Sequence, residues 1–188
     1  MSSVKDTSEN KRNKRRAYLD DFRKDESGSY VYTGIVYKYD GSEQGLRSLK
    51  VRLSALGALM LAVLLWAGVI RGPGMDHSIY VLLPYVAALC GSVSVCWALG
   101  RLCIGGVSLR AYLFQESIEK LPGRCVFTAC CSVVALLGET AYIFINGTDI
   151  RDIVCILFLI QQCIAIACAL FLRSCIMRTR WRQGKENK

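Results

Sequence analysis

Histidine and proline are scarce in this chain, with one histidine and three prolines among 188 residues. His77 has no second histidine to share a metal, and no CxxC pair occurs among the ten cysteines, so no metal site is expected. Soluble catalytic signatures are missing too: there is no P-loop, no Rossmann glycine fingerprint, no GxSxG and no HExxH. The expectation is a protein that is not an enzyme and needs no cofactor.

A third scarcity is local. Four blocks, residues 51–70, 79–103, 125–145 and 153–172, are almost without charge. They hold Arg52 at the start of the first, Arg101 near the end of the second and Glu139 in the third. Such runs lack the polar face that a helix of a soluble bundle shows to water. Each reaches the roughly 20 apolar residues needed to cross a bilayer as a helix. Overall, 53% of the residues are hydrophobic and the mean hydropathy is +0.31. The reading is an all-α membrane protein with four transmembrane helices as two antiparallel hairpins. About fifty mostly polar residues precede the first block, so it is read as a retained span and not a cleaved signal peptide.

What is abundant is positive charge, and it is unevenly placed. Of 24 Lys and Arg, twelve lie in residues 1–52, four in 101–124 and six in 173–188, whereas the links 71–78 and 146–152 hold one each. By the positive-inside rule both termini are cytoplasmic, in the plasma membrane. The formal charge of +9 then becomes a property of the membrane surface, suited to anionic lipid at the cytoplasmic face. Nucleic-acid binding is the lesser reading of the basic run at 11–16.

The parts follow from these shifts. Residues 1–28 are a basic tail too polar to offset its ordering entropy, and disorder is expected. Residues 29–50 are a tyrosine-rich juxtamembrane segment, 51–173 the four-helix domain and 174–188 a basic cytoplasmic tail. Within the second part, SYVYTGIVYKYDG alternates like a strand, yet no partner strand is evident in the sequence. Tyrosine is enriched at headgroup depth, so Tyr30, Tyr32, Tyr37 and Tyr39, with Trp181 beyond the last span, are the candidate membrane-interface anchor. The segment is expected to pack under the bundle or to pair with its counterpart in another subunit. Between the second and third spans, Ser108 is placed to cap a short interfacial helix over 109–121, a plain loop being the alternative.

Glu139 is the most informative residue. A carboxylate at membrane depth is costly and faces a bundle interior or a wet cavity. Gln161 and Gln162 in span four, Tyr85 in span two and Tyr142 on its own helix complete a candidate intramembrane polar cluster. The ten cysteines are read as small packing residues. Small residues at four-residue spacing, such as Gly91 with Ala87 and Ala165 with Ala169, suit close helix approach. Two functions fit. One is a non-catalytic subunit or scaffold that works through helix contacts and the membrane surface, as a homo-oligomer or with other membrane subunits. The other is a small transporter or channel component with Glu139 as proton or cation site.

Overall fold

The computed structural model describes residues 22–24, 30–32, 35–105, 108–110, 114–146 and 153–185. The tail over 1–28 lies outside the described residues except for strand β1 (Phe22–Lys24), which pairs antiparallel with β2 (Tyr30–Tyr32). Strand β3 (Ile35–Tyr39) leads into the long helix α1 (Glu43–Ile70). A short α2 (Pro73–His77) and the long α3 (Ile79–Ile104) follow. After strand β4 (Ser108–Arg110) and a π-helical turn at Gln115–Glu119 come α4 (Leu121–Asn146), α5 (Ile153–Met177) and strand β5 (Trp181–Lys185).

Among the described residues four helices are long and apolar enough to cross a membrane. At about 1.5 Å per residue, α1 and α3 reach roughly 40 Å, more than the ~30 Å hydrocarbon core, so their ends extend beyond it. That length has local causes. Ser42, in extended conformation, accepts a hydrogen bond from Gly45 N at 3.1 Å and starts α1 eight residues ahead of the apolar block. At the other end Arg71 adopts φ 52°, and its N–H closes on Ala67 O. Gly72 and Pro73 then begin α2 in a new direction.

The long helices pack in a square, α1 against α3 and α5, and α4 against the same two. Their buried rows step alternately by three and four residues. On α4 the row is Leu121, Cys125, Thr128, Ser132, Ala135 and Glu139; on α5 it is Cys155, Phe158, Gln162, Ala165, Ala169 and Leu172. A 3.5-residue period is that of left-handed bundle packing. Apart from Leu121, Phe158 and Leu172 these rows are small or polar, whereas large apolar side chains such as Trp66, Leu83, Trp97, Phe144 and Phe171 point outward. Close approach explains the small residues: a side chain at Gly91 would run into Thr128 and Phe127, and one at Gly57 into Leu99. The small pair expected on α5, Ala165 and Ala169, is buried.

The end of the bundle away from α2 corrects the all-α expectation. β3 is the centre of a three-stranded antiparallel sheet, with β4 on one edge and β5 on the other. The partner strands that the sequence did not reveal come from the same chain and pair both edges of β3, so β3 itself has no free edge to offer its counterpart in another subunit. The interfacial helix expected over 109–121 is also corrected. Its first residues are β4, whose backbone pairs with Val36–Lys38, and its last turn becomes the π-helical turn and the start of α4. Leu109 and Leu121 are both fully buried, so these two apolar residues go into the core; residues 111–113 lie outside the described residues.

Candidate functional site

Glu139 is fully buried on α4 and meets the link between α1 and α3. Its Oε1 accepts a hydrogen bond from Gly74 N at 3.1 Å. The reason is visible in α2. A helix begins with unpaired N–H groups, and a Ser or Asp at the N-cap ordinarily accepts from the second or third of them. Here the N-cap is Gly72, which has no side chain, and Gly74 stands two residues on. Glu139 supplies the missing cap from a different helix. The glycines make room for it: a Cβ at Gly72 would lie 2.7 Å from Oε1 and 3.1 Å from Phe158, and one at Gly74 would overlap Oε2.

The other members of the expected cluster lie elsewhere. Tyr85 donates its hydroxyl to Leu64 O at 2.6 Å, tying α3 to α1, and its ring is tilted against Phe158 at 6.2 Å. Tyr142 borders Gly74, three residues along α4 from Glu139. Gln161 and Gln162 are buried in the middle of α5. None of these four side chains bonds Glu139; the partner is a backbone amide. Gln161 Oε1, both amide atoms of Gln162, Ser132 Oγ and Glu139 Oε2 are buried without a hydrogen-bond partner among the described residues. Buried polar atoms are usually paired, so a run of five on the facing rows of α4 and α5 is the least satisfied part of the bundle. His77 is exposed, and no group of three His, Cys, Asp or Glu gathers among the described residues.

At the sheet end the candidate anchor residues divide. Tyr30 and Tyr32 form β2, and nothing further is described of their side chains. Tyr37 and Tyr39 lie in β3, opposite Gln183 and Trp181 of β5. Tyr37 stacks on Phe114 with ring centroids 4.0 Å apart and planes 7° from parallel. Trp181 meets Phe114 edge-on at 5.7 Å and Tyr39 at 5.6 Å. Gln183 donates to the Tyr37 hydroxyl at 2.7 Å, and Arg182 pairs with Asp40 at 2.9 Å. Phe114 and Trp181 pack on the helical core, so this aromatic group joins the sheet to the bundle. Lys50 of α1 reaches back to Gly105 O at the end of α3, where a cation meets exposed helix carbonyls.

No family model matches this chain, and no curated protein or solved structure is significantly similar to it. The reading of the site therefore rests on its geometry.

Two features escaped sequence reasoning. The Gly74 cap involves a backbone N–H, which leaves no side-chain signal; its trace is a helix start, GPG, that lacks a capping residue while a buried acid stands on a facing span. The second is an aromatic pair that the hydropathy blocks hide. Tyr80 and Trp97, both exposed on α3, are seventeen residues or about 26 Å apart, close to the separation of the two bilayer interfaces.

Proposed function

We propose that this chain is a non-catalytic multi-pass membrane subunit, a scaffold of two antiparallel helical hairpins with both termini in the cytoplasm of the plasma membrane. It works through helix contacts with a second copy or other membrane subunits, and through its basic surface on anionic lipid. The observation that carries the reading is the cap. The acid inside the spans is committed to holding the chain's own outer link, which is a structural use of a costly group. The basic asymmetry of the sequence supports the orientation.

The second reading, a transporter or channel component, is favoured by one observation: the unpartnered atoms of Ser132, Gln161, Gln162 and Glu139 deep in the bundle. Proteoliposomes containing the purified full chain separate the two. With a pH dye inside and a potassium or sodium gradient imposed, a scaffold gives the leak of empty vesicles. Flux above that leak which Glu139→Gln abolishes would overturn the scaffold reading in favour of transport.

A further inference from the structure

The end of α3 brings a nucleophile, a hydroxyl and a cation together against α1. Cys103 is exposed one residue before Ile104, the last residue of α3. Its Sγ lies 3.0 Å from Ser54 Oγ of α1. Lys50, one turn before Ser54, bonds Gly105 O just past the end of α3, and its ammonium is within electrostatic reach of Cys103. Cysteine attacks as its thiolate, and a hydroxyl donor and a cation are the neighbours that support a charged sulfur. The bond to Gly105 O uses one of the three ammonium donors and holds the charge beside the thiol. The other exposed cysteines, Cys90, Cys130 and Cys163, lie nine or more residues inside their helices. Cys175, close to the end of α5, is half-buried.

A second feature indicates what such a sulfur would meet. A groove of about 390 Å³ runs along α3, lined by Val93, Cys96, Trp97, Gly100, Arg101 and Ile104. Cys103 stands three residues from Gly100 and seven from Cys96, on the same flank of the helix. From Ile104 to Val93 the groove spans eleven residues, about 16 Å. Arg101 is its one charged lining residue, and a Cβ at Gly100 would meet nothing within 4 Å, so the middle is open. Trp97 is of the kind that marks the membrane interface, and Cys103 lies six residues, about 9 Å, beyond it. The sulfur therefore stands at headgroup depth, and the groove leads from it toward the hydrocarbon. A fatty acyl thioester has the matching division, with a polar carrier for the water side and a chain for the lipid side.

We propose that Cys103 is a site of S-acylation, with Ser54 and Lys50 supporting its sulfur and the groove along α3 receiving the chain. The reaction is a thioester exchange. Sγ attacks the carbonyl carbon of a long-chain acyl coenzyme A, a new C–S bond forms and the coenzyme's C–S bond breaks. The departing thiolate takes up the proton that Cys103 lost, and nothing is oxidised or reduced. The inference rests on the scaffold reading only for orientation, since acyl coenzyme A is held in the cytoplasm. The purified full chain in a neutral detergent is incubated with palmitoyl or acetyl coenzyme A. Each cysteine peptide is then weighed before and after hydroxylamine, which cleaves thioesters. The expected result is one labile palmitoyl group on Cys103, faster transfer of palmitoyl than of acetyl, and no label on Cys90, Cys130 or Cys163. Cys103→Ser should remove the label, and Lys50→Gln should slow transfer several-fold. Because Lys50→Gln also breaks the bond to Gly105 O, Ser54→Ala provides a second variant that keeps that bond; it should be slower too. Gly100→Leu fills the groove and should abolish the advantage of palmitoyl over acetyl. Label missing from Cys103, or spread evenly over the exposed cysteines, would overturn the proposal. Parental rates in both Ser54→Ala and Lys50→Gln, or an intact chain-length preference in Gly100→Leu, would do so as well. The purified protein is reached from both sides, so an error of orientation leaves these results as they are, and their failure leaves the orientation standing.

Discussion

Replacing Glu139 by leucine removes the acceptor for Gly74 N while keeping a side chain of similar bulk. Three effects compete. The lost interhelical bond is worth about 0.6 kcal/mol inside a membrane protein, and at most about 1.7. The Gly74 N–H is then left buried without a partner, which costs about 1–3 kcal/mol. Against these, leucine removes the unpartnered Oε2 and its desolvation. The first two outweigh the third, because only one of the carboxyl oxygens is unsatisfied in the parent. The net loss should be about 1–2 kcal/mol, a factor of roughly 5–30 in the opening equilibrium of the link. Hydrogen exchange of the full chain in lipid nanodiscs reads this directly at Gly74–Ser78, where the leucine variant should exchange faster by that factor. Glu139→Gln retains an acceptor oxygen and should stay within about 0.5 kcal/mol of the parent. Unchanged exchange in the leucine variant would refute the capping role. Exchange in the glutamine variant as fast as in the leucine one would show that charge, and not the acceptor, holds the link.

Three further outcomes follow from the same geometry. Gly72→Ala places a Cβ 2.7 Å from Glu139 Oε1 and 3.1 Å from Phe158, and overpacking there should cost about 1–3 kcal/mol, seen as a lower melting temperature in detergent; an unshifted transition would mean that the link moves aside freely. Tyr37→Ser removes the stack on Phe114 and the bond from Gln183, which should cost about 0.5–1.5 kcal/mol beyond the lost burial and speed tryptic cleavage after Arg180 and Arg182; equal cleavage would detach the sheet from bundle stability. A cysteine at Asp76 or Asp149, in a background with the native cysteines replaced, should react with an impermeant maleimide added to intact cells, and protection of either would reverse the proposed topology.

The spans were legible because membrane helices advertise themselves by length and lack of charge. Their faces were not. In a soluble helix the buried side is the apolar one, but here the buried rows hold Gly57, Ser92, Thr128, Ser132 and Gln162, and the outward side holds Trp66, Trp97 and Phe171. Hydropathy has little contrast to report when both lipid and core are apolar. The start of α1 was hidden for a different reason. Glu43–Lys50 carries charge and lies before the apolar block, so only Ser42 as N-cap signals it. The alternation of β3 was readable, but its partners were not. Ser108–Arg110 is three residues long, and Gln183 stands 146 residues from Tyr37. Strands that short, paired over that distance, carry no local pattern. For the candidate site, the burial of Glu139 was readable from its depth, whereas its partner was sought among side chains and proved to be a backbone amide.

The cap also bears on the choice between scaffold and transporter. A path through the bundle must open at both ends. At the sheet end the chain closes on itself through β3, whose neighbours come from the α3–α4 connection and from the segment after α5. At the link end a path that reaches Gln162 along the buried row of α5 meets Phe158 beside Gly72 and the carboxyl of Glu139. Opening there breaks the Gly74 bond, so the residue a transport mechanism would use as its carrier is also the latch of its gate. Such coupling makes a specific demand. Glu139→Leu would free the link and remove the carrier together, whereas Gly72→Ala would displace the link and keep the carboxyl. A transporter would show flux in the second variant and none in the first. A scaffold would show neither, and would report both changes only as lost stability.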